Sequence, residues 1–199
     1  GGYGGKGADY WGSQGGFPYG SASAPHDPGS GGGSEAGACS GNGGGLFRVI
    51  ASGDMRIDGT ISANGNYAND GSGAGGGVSI VCNTFSGDGG VIQANGPSAA
   101  NCAGGGGRIA IVYTNGAAQA AMAKPRVTLS VAKGAVSPAS QLYDMGTIYM
   151  PDTNMLDGAW LPHTGQVAIP GFSSWCVSSL LITNGRIRFP AEGFQLKVA

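Results

Sequence analysis

The chain has few charged residues and little strongly hydrophobic material, and each shortage excludes a class of protein. Charged residues make up 11 % of the 199 residues, and the formal net charge is −1. Nucleic-acid binding usually requires a basic patch, and the sequence contains none. No apolar run approaches the ~18 residues of a membrane-spanning helix. The sequence therefore predicts neither a nucleic-acid partner nor insertion into a membrane.

The chain also lacks the motifs of common enzyme and cofactor sites. Its cysteines show no C-x-x-C spacing and have no neighbouring histidine cluster, which argues against zinc. No G-x-S-x-G nucleophile elbow occurs. The Gly-x-Gly strings are not followed by the strand, loop and helix that a phosphate-binding loop requires. The motifs therefore identify no catalytic residue and no resident cofactor.

Two features of the ends concern processing. The sequence begins without Met and without a signal peptide. It ends inside an alternating strand pattern at residues 194–199. We expect the chain to be part of a longer protein, with the body of the fold continuing beyond residue 199.

Glycine is abundant and unevenly placed. Of the 42 glycines, 18 lie in residues 1–45, which contain a single Val, Leu, Ile or Phe residue, Phe17. The other 35 residues of these four types lie in residues 46–199. We therefore divide the chain into a glycine-rich lead-in, residues 1–45, which packs on or caps the remainder, and a body, residues 46–199.

The body repeats itself. Glycine blocks begin at Gly43, Gly75 and Gly104, and the phrase Ile-x-Ala-Asn-Gly occurs at residues 61–65 and again, 31 residues later, at 92–96. A period in this range is typical of stacked supersecondary units. Between the glycine blocks, apolar and polar residues alternate with period two, as they do in β-strands. The sequence predicts an all-β fold, a right-handed parallel β-helix with glycine-rich loops, with a β-sandwich as the alternative.

Superposing the repeats predicts which residues stack. The apolar positions Phe47, Val49, Met55, Ile57 and Ile61 should lie under Val78, Ile80, Phe85, Val91 and Ile92. No strand follows the Asn-Gly pairs at 64–65 and 95–96, so we interpret them as corners rather than hairpins. Asn64 and Asn95 should then share hydrogen bonds. At Asn184-Gly185, which lies between two strand patterns, a hairpin competes with a corner.

The repeat phrases resemble a known type of protein. Residues 57–65 (IDGTISANG) and residues 104–111 (GGGGRIAI) are similar to repeats of very large, glycine-rich, β-helix-like surface proteins of bacteria and some protists. The resemblance concerns the scaffold over most of the chain. It implies a structural or adhesive role outside the cell, and it brings no catalytic motif.

Four cysteines leave the redox state open. Cys39 and Cys102 each lie just before a glycine block and form our favoured disulfide, while Cys82 and Cys176 are further candidates. An even number of cysteines fits an oxidising compartment. The alternative is four buried free thiols in a reducing compartment.

A charged stripe is the one candidate for catalysis. Asp54, Arg56 and Asp58 alternate along one strand and share a face, and Asp88 should lie near Asp58. Clustered carboxylates with an arginine could hold Ca²⁺ and an acidic sugar, as in a polysaccharide lyase. The competing interpretation is a solvated outer surface on which the charges neutralise one another.

The lead-in contains two further candidate sites. Residues 4–11 match one copy of a calcium nonapeptide with Asp9 as ligand, although such repeats share each ion between successive copies. Aromatic residues are concentrated among the glycines and could stack on sugar rings, as in a carbohydrate-binding module, or dock on a neighbouring chain. The competing interpretation is that they fold back to cover an open face or end of the fold. These residues are Tyr3, Tyr10, Trp11, Phe17 and Tyr19.

Together these features favour a non-catalytic structural or adhesive module. We expect it to be extracellular or on a cell surface, and to bind copies of itself, other surface-protein segments or polysaccharide. The alternatives are a polysaccharide-active enzyme and a carbohydrate-binding module. No cofactor is expected apart from the Ca²⁺ considered above.

Overall fold

The computed structural model describes residues 1–9, 14–33, 40–69, 71–135 and 143–199. Within them the chain forms short strands and one helix. In chain order these are β1 Leu46–Ile50, β2 Met55–Arg56, β3 Thr60–Ser62, β4 Gly77–Cys82, β5 Phe85–Ser86, β6 Asp88–Gln93, β7 Arg108–Tyr113, α1 Gly116–Ala121, β8 Arg126–Ser130, β9 Thr147–Tyr149, β10 Thr164–Ala168, β11 Ser174–Val177, β12 Arg186–Arg188 and β13 Gln195–Val198.

The helix has a clear local cause. A run of alanines follows Asn115, whose side chain accepts a hydrogen bond from the Ala118 N–H at 3.1 Å. Alanine has the highest helix propensity, and asparagine is a favoured N-cap. The alanine-rich sequence predicts a helix over residues 117–123, and the structure confirms a helix there, over Gly116–Ala121.

Most strands belong to one parallel sheet. Nine strands pair in the order β1-β4-β7-β9-β10-β8-β6-β3, with β12 joined to β10 beside this path. Two further pairs, β2–β5 and β11–β13, form separate two-stranded sheets. All pairs among the described residues are parallel. The large sheet curls into a half-barrel.

The prediction of a right-handed parallel β-helix was wrong. In a β-helix the ladders form separate faces, whereas here the β1-β4-β7-β9 ladder and the β3-β6-β8 ladder meet in β10. Thr164 of β10 pairs with Ser130 of β8, and residues 166–168 of the same strand pair with β9. One strand therefore spans both ladders and closes them into a single curved sheet. The all-β part of the prediction was right, and the parallel pairing excludes the sandwich alternative.

The local register follows the sequence repeats. Phe47 pairs with Val78, Val49 with Ile80, Met55 with Phe85 and Ile61 with Ile92, as predicted. The predicted stacking of Ile57 on Val91 was wrong, because Val91 pairs with Thr60. The corners also stack as predicted, because Asn64 Oδ1 accepts the Asn95 N–H at 2.7 Å. The turn at Asn184 forms no hairpin, since β12 pairs in parallel with β10.

The apolar core lies inside the curve of the sheet. Its members alternate along each strand and align with their counterparts in the next, as in Val78–Ile109 and Ile80–Ile111. The largest fully buried apolar side chains of these strands are Ile80, Phe85, Ile92, Ile109, Ile111, Leu129 and Ile148.

A column of glycines marks where the strands of one ladder begin. Gly45, Gly76, Gly107 and Gly146 immediately precede β1, β4, β7 and β9. A Cβ on Gly76 would lie 2.0 Å from the Gly45 carbonyl oxygen, and one on Gly107 would lie 2.1 Å from that of Gly76. Each carbonyl accepts an N–H from the next repeat; Gly76 O, for example, accepts that of Arg108 at 2.9 Å. The glycines allow the backbones to approach this closely because they carry no side chain.

Beside the sheet, glycine-rich segments pack on one another mainly through backbone hydrogen bonds, to which the Ser30 hydroxyl adds two bonds with Gly2. Gly4 N donates to Gly106 O at 3.0 Å, Gly29 N to Gly44 O at 2.9 Å and Gly75 N to Gly105 O at 3.0 Å. We call the segments at residues 1–7, 29–32, 41–44, 71–76 and 104–107 the glycine layer. Residues 1–7, 29–32 and 41–44 of this layer belong to the lead-in, which therefore packs against loops of the body, as in the bond from Gly44 N to Ala74 O at 2.8 Å.

Candidate functional site: the free edge of the first repeat

The first repeat, residues 46–62, has neighbours on one side only. Its strands β1, β2 and β3 pair with β4, β5 and β6, and none has a second partner among the described strands. Within the part of the chain that the structure describes, no atom beyond the adjacent residues lies within 4 Å of a Cβ placed on Gly45, Gly53 or Gly59. We call the outer side of these three strands the free edge.

The core is uncovered at the free edge. Phe47 is 37 % exposed, whereas its ladder mates Val78 and Ile109 are fully buried. Ile61 is likewise only partly buried, whereas Ile92 beneath it is fully buried. Leu46 and Ile50 add exposed apolar surface, at 40 % and 67 %. The free edge therefore combines unpaired strand backbone with an open end of the hydrophobic core.

The charged stripe lies next to this edge, and its carboxylates have internal partners. Asp54 Oδ1 accepts hydrogen bonds from Thr84 Oγ1 and Asn83 Nδ2, both at 2.7 Å, and these bonds lower the pKa of Asp54. Arg56 Nε lies 2.7 Å from Asp58 Oδ2, and this contact, with the backbone N–H bond described next, lowers the pKa of Asp58.

The structure brings Asp58 and Asp88 together as expected. Asp58 Oδ1 accepts the Asp88 backbone N–H at 2.7 Å, and the Asp88 carboxylate lies 3.4 Å from Arg126 Nε. A general base needs a free carboxylate with a pKa near the working pH. The pKa of Asp54 is lowered instead, by contacts with Thr84 and Asn83 of the next repeat. The pKa of Asp58 is lowered first by Arg56 of its own repeat and then by the Asp88 N–H of the next. The geometry thus favours a bracing role for the stripe.

No described part of the chain gathers three or more His, Cys, Asp or Glu side chains in a way that could hold a metal ion. The calcium candidate Asp9 is engaged by Lys6 Nζ at 2.6 Å and by the Gly15 N–H at 2.7 Å. These two contacts lower the pKa of Asp9, the lysine contributing most. The carboxylate therefore serves as a local brace of the lead-in.

The lead-in aromatics have different environments. Tyr3 is fully buried, its ring centroid lies 4.9 Å from that of Tyr19, and the Arg108 guanidinium lies 5.4 Å from the Tyr3 centroid. Arg108 Nε and Nη2 also donate to the Tyr19 carbonyl, at 3.0 and 2.8 Å. This cluster attaches the lead-in to β7.

Phe17 is 62 % exposed, with Lys6 Nζ 5.8 Å from its ring centroid. The candidates Tyr10 and Trp11 lie outside the described residues.

The favoured disulfide cannot be placed, because Cys39 lies outside the described residues while Cys102 lies within them. Cys82 is buried in the core and Cys176 is exposed on β11; both are free thiols. The structure thus gives no support to a bridge between Cys82 and Cys176. Burial raises the pKa of Cys82 to about 11, which makes its thiol unreactive at neutral pH.

His163 is a buried structural histidine. It is 5 % exposed, and its Nδ1 accepts the Leu129 backbone N–H at 3.2 Å. Burial lowers the pKa of His163 to about 4. The unfolded chain binds this proton near pH 6.5. Since the folded state resists protonation, this histidine makes the protein less stable as the pH falls from 6.5 towards 4.

We therefore expect urea unfolding to give a stability about 2 kcal/mol lower at pH 5 than at pH 7.5 because of His163. The carboxylates with lowered pKa affect stability only below about pH 4, so they lie outside this window. His163→Asn, which retains an acceptor for Leu129, should remove most of the difference. An unchanged pH dependence in that variant would show that His163 is not its source.

Sequence reasoning missed an aromatic cluster near the C-terminal strands. The rings of Phe189 and Phe194 stack with centroids 4.2 Å apart. Phe172 contacts both rings edge-on, and Trp175 contacts Phe189. These four residues are dispersed over more than twenty positions and follow no repeat. The only signal in the sequence is the concentration of aromatics in residues 172–194.

Two findings complete the description of the chain. The one described helix, α1, has six residues, and no helix among the described residues is long and apolar enough to cross a membrane. Comparisons with protein-family models, with curated proteins and with solved structures found no match.

Proposed function

We propose that the chain is a non-catalytic structural or adhesive module of an extracellular or cell-surface protein. It acts by self-association, with the free edge of one copy docking on another chain of the same kind. The observation that carries the proposal is the free edge, where three parallel strands and the end of the apolar core are uncovered together.

The backbone supports this proposal first. An unpaired strand edge offers N–H and C=O groups to any strand that lies ~4.8 Å away, and proteins usually block such edges with bulges, prolines or covering loops. No proline occurs in residues 46–62, and the space beside Gly45, Gly53 and Gly59 is open. The first repeat is therefore available for pairing.

Apolar burial supports it second. Three exposed apolar residues lie on the short strand β1, Phe47 on its core face and Leu46 and Ile50 on the opposite face. Covering such side chains contributes about 25 cal/mol for each Å² removed from water. The charges of the first repeat do not oppose association, because Arg48 and Arg56 balance Asp54 and Asp58.

The interlocked glycine layer supports it third. The backbones of the glycine layer are in contact, so movement of one segment would break its hydrogen bonds to the neighbouring segments. A rigid module presents its edge already ordered, and association then costs less conformational entropy. Rigidity of this kind suits a load-bearing or repeating assembly.

The proposal is tested by placing a charge on the free edge. Phe47→Lys puts an ammonium group at the open end of the core, and we expect the self-association constant to fall at least tenfold in sedimentation velocity. Met122→Lys is the matched control, because Met122 lies after α1 and its exposure, 36 %, nearly equals that of Phe47. Equal association by both variants would contradict the assignment to the free edge.

The alternative of a polysaccharide-active enzyme gains no support from the stripe, since Asp54 and Asp58 have internal partners and lowered pKa values. The aromatic residues favour a carbohydrate-binding module only weakly. Tyr3 is buried against Arg108 and Tyr19, which leaves Phe17 as the most exposed ring of the described lead-in.

A further inference from the structure

A cleft lies on the side of the molecule where the C-terminal strands meet the loops of the earlier repeats. Its volume is about 470 Å³. Small-molecule sites usually range from about 300 to 1,000 Å³, so the cleft has the size of a binding site for one or two sugar rings. It takes its walls from residues 132–135, from Tyr143 and Met145 and from the turn at 184–186.

The charged side chains of the cleft are both positive. Lys133 and Arg186 line it, and no carboxylate of the described residues does. Lys133 Nζ donates to the Tyr143 carbonyl at 3.2 Å and lies 4.0 Å from the centroid of the Tyr143 ring. Arg186 is exposed, and its guanidinium has no acceptor within the described part of the chain. The nearby carboxylate of Asp144 is neutralised by Arg188 at 2.6 Å.

The other lining groups suit a ligand that carries hydroxyls. Ser98, Thr164 and Asn184 contribute two hydroxyls and an amide. Asn184 has a φ of 52°, a left-handed conformation that asparagine tolerates, and the turn places it beside Arg186. Ala132, Ala135 and Met145 supply apolar surface between the polar groups. The cleft thus offers apolar surface for a sugar ring, hydroxyl and amide groups for its hydroxyls, and two cations for an acidic substituent.

We propose that this cleft binds an anionic saccharide, one that carries a carboxylate or sulfate group. Lys133 and Arg186 bind the oxyanion, and Ser98, Thr164 and Asn184 hydrogen-bond the ring hydroxyls. None of these residues belongs to the charged stripe or to the free edge. The module then has two separate surfaces, one for copies of itself and one for acidic polysaccharide.

Calorimetry and NMR titration with glucuronic acid test the proposal, with glucose as the uncharged probe. We expect glucuronic acid to bind at least tenfold more tightly than glucose, and raising the NaCl concentration to 0.5 M to weaken it, because salt screens exposed charges. We expect Lys133→Gln and Arg186→Gln each to weaken binding about fivefold. Lys197→Gln removes an equal charge from exposed β13, outside both the cleft and the free edge, and should leave the affinity unchanged.

Each outcome decides the matter. Equal affinity for glucuronic acid and glucose, or no binding of either, would overturn the proposal without the need for any variant. So would full affinity in a folded Lys133→Gln, Arg186→Gln double variant. If inorganic sulfate at matched ionic strength competes as well as glucuronic acid, the cleft is a simple anion site and the saccharide assignment is wrong.

Discussion

Replacing Gly76 by alanine should destabilise the protein by more than about 4 kcal/mol, enough to prevent folding at ordinary temperatures. The new Cβ would lie 2.0 Å from the Gly45 carbonyl oxygen and 2.5 Å from the Gly44 carbonyl carbon. Both atoms belong to backbone, so no side chain can rotate away. The Gly76 N–H also donates to Ala63 O at 2.7 Å, and displacement of the strand would break this bond.

Gly45→Ala is the matched control, one position along the same glycine column. No atom lies within 4 Å of a Cβ placed there, and the φ of Gly45 is not in the left-handed region. We expect Gly45→Ala to change the free energy of unfolding by less than about 1 kcal/mol, in the stabilising direction, since alanine restricts the unfolded chain. Urea denaturation of both variants makes the comparison. Similar stabilities would contradict the close packing of the column.

Gln119→Leu should cost about 2–5 kcal/mol, the second largest effect we expect. Gln119 is 1 % exposed on α1. Its side-chain amide makes the two hydrogen bonds to β5 that the backbone of a neighbouring strand would make. Its Oε1 accepts the Phe85 N–H at 2.7 Å and its Nε2 donates to the Phe85 carbonyl at 3.0 Å. Leucine fills similar space but leaves both groups of the fully buried Phe85 without partners.

The control for this variant is Gln93→Leu, the same substitution on β6. The Gln93 amide makes only long contacts, at 3.4 Å, with Ser62 and Asn95. We expect the loss of stability there to stay below about 1 kcal/mol. Thermal unfolding of the two variants compares them directly. If Gln119→Leu were no worse than Gln93→Leu, the amide bridge to Phe85 would not be a stabilising contact.

The repeats predicted the local pairing because stacked repeats place like on like. Ile61 and Ile92 occupy the same position of one phrase, and they are register partners in the structure. Asn64 and Asn95 follow the same logic, and their shared hydrogen bond was predicted from their place at the two corners. Register partners of this kind depend only on the repeated residues themselves. They can therefore be predicted without knowing how the whole sheet curves.

The path of the sheet could not be predicted in this way. Residues 164–168 look like one more short strand, yet β10 pairs with β8, β9 and β12. This joining depends on where the chain places β10 after residues 150–163, which match no repeat. The β-helix prediction was wrong for this reason: it extended the period of the early repeats to a region that does not share it.

The proposed sites differ in how far the sequence reveals them. Phe47 and Ile61 were recognised as core positions, but only the structure places them at an uncovered end. Lys133 and Arg186 are more than fifty residues apart, and nothing in their local sequence joins them. Their approach is a result of the parallel pairing of β12 with β10, which brings the turn at Asn184 beside residues 132–135.

The central claim, self-association through the free edge, is tested most directly by sedimentation velocity of the unaltered chain over a wide concentration range. Negative-stain imaging of the heaviest fraction accompanies it. We predict that the sedimentation coefficient rises with concentration and that ordered oligomers or fibres are visible. A coefficient that stays at the monomer value over the whole range would contradict the claim.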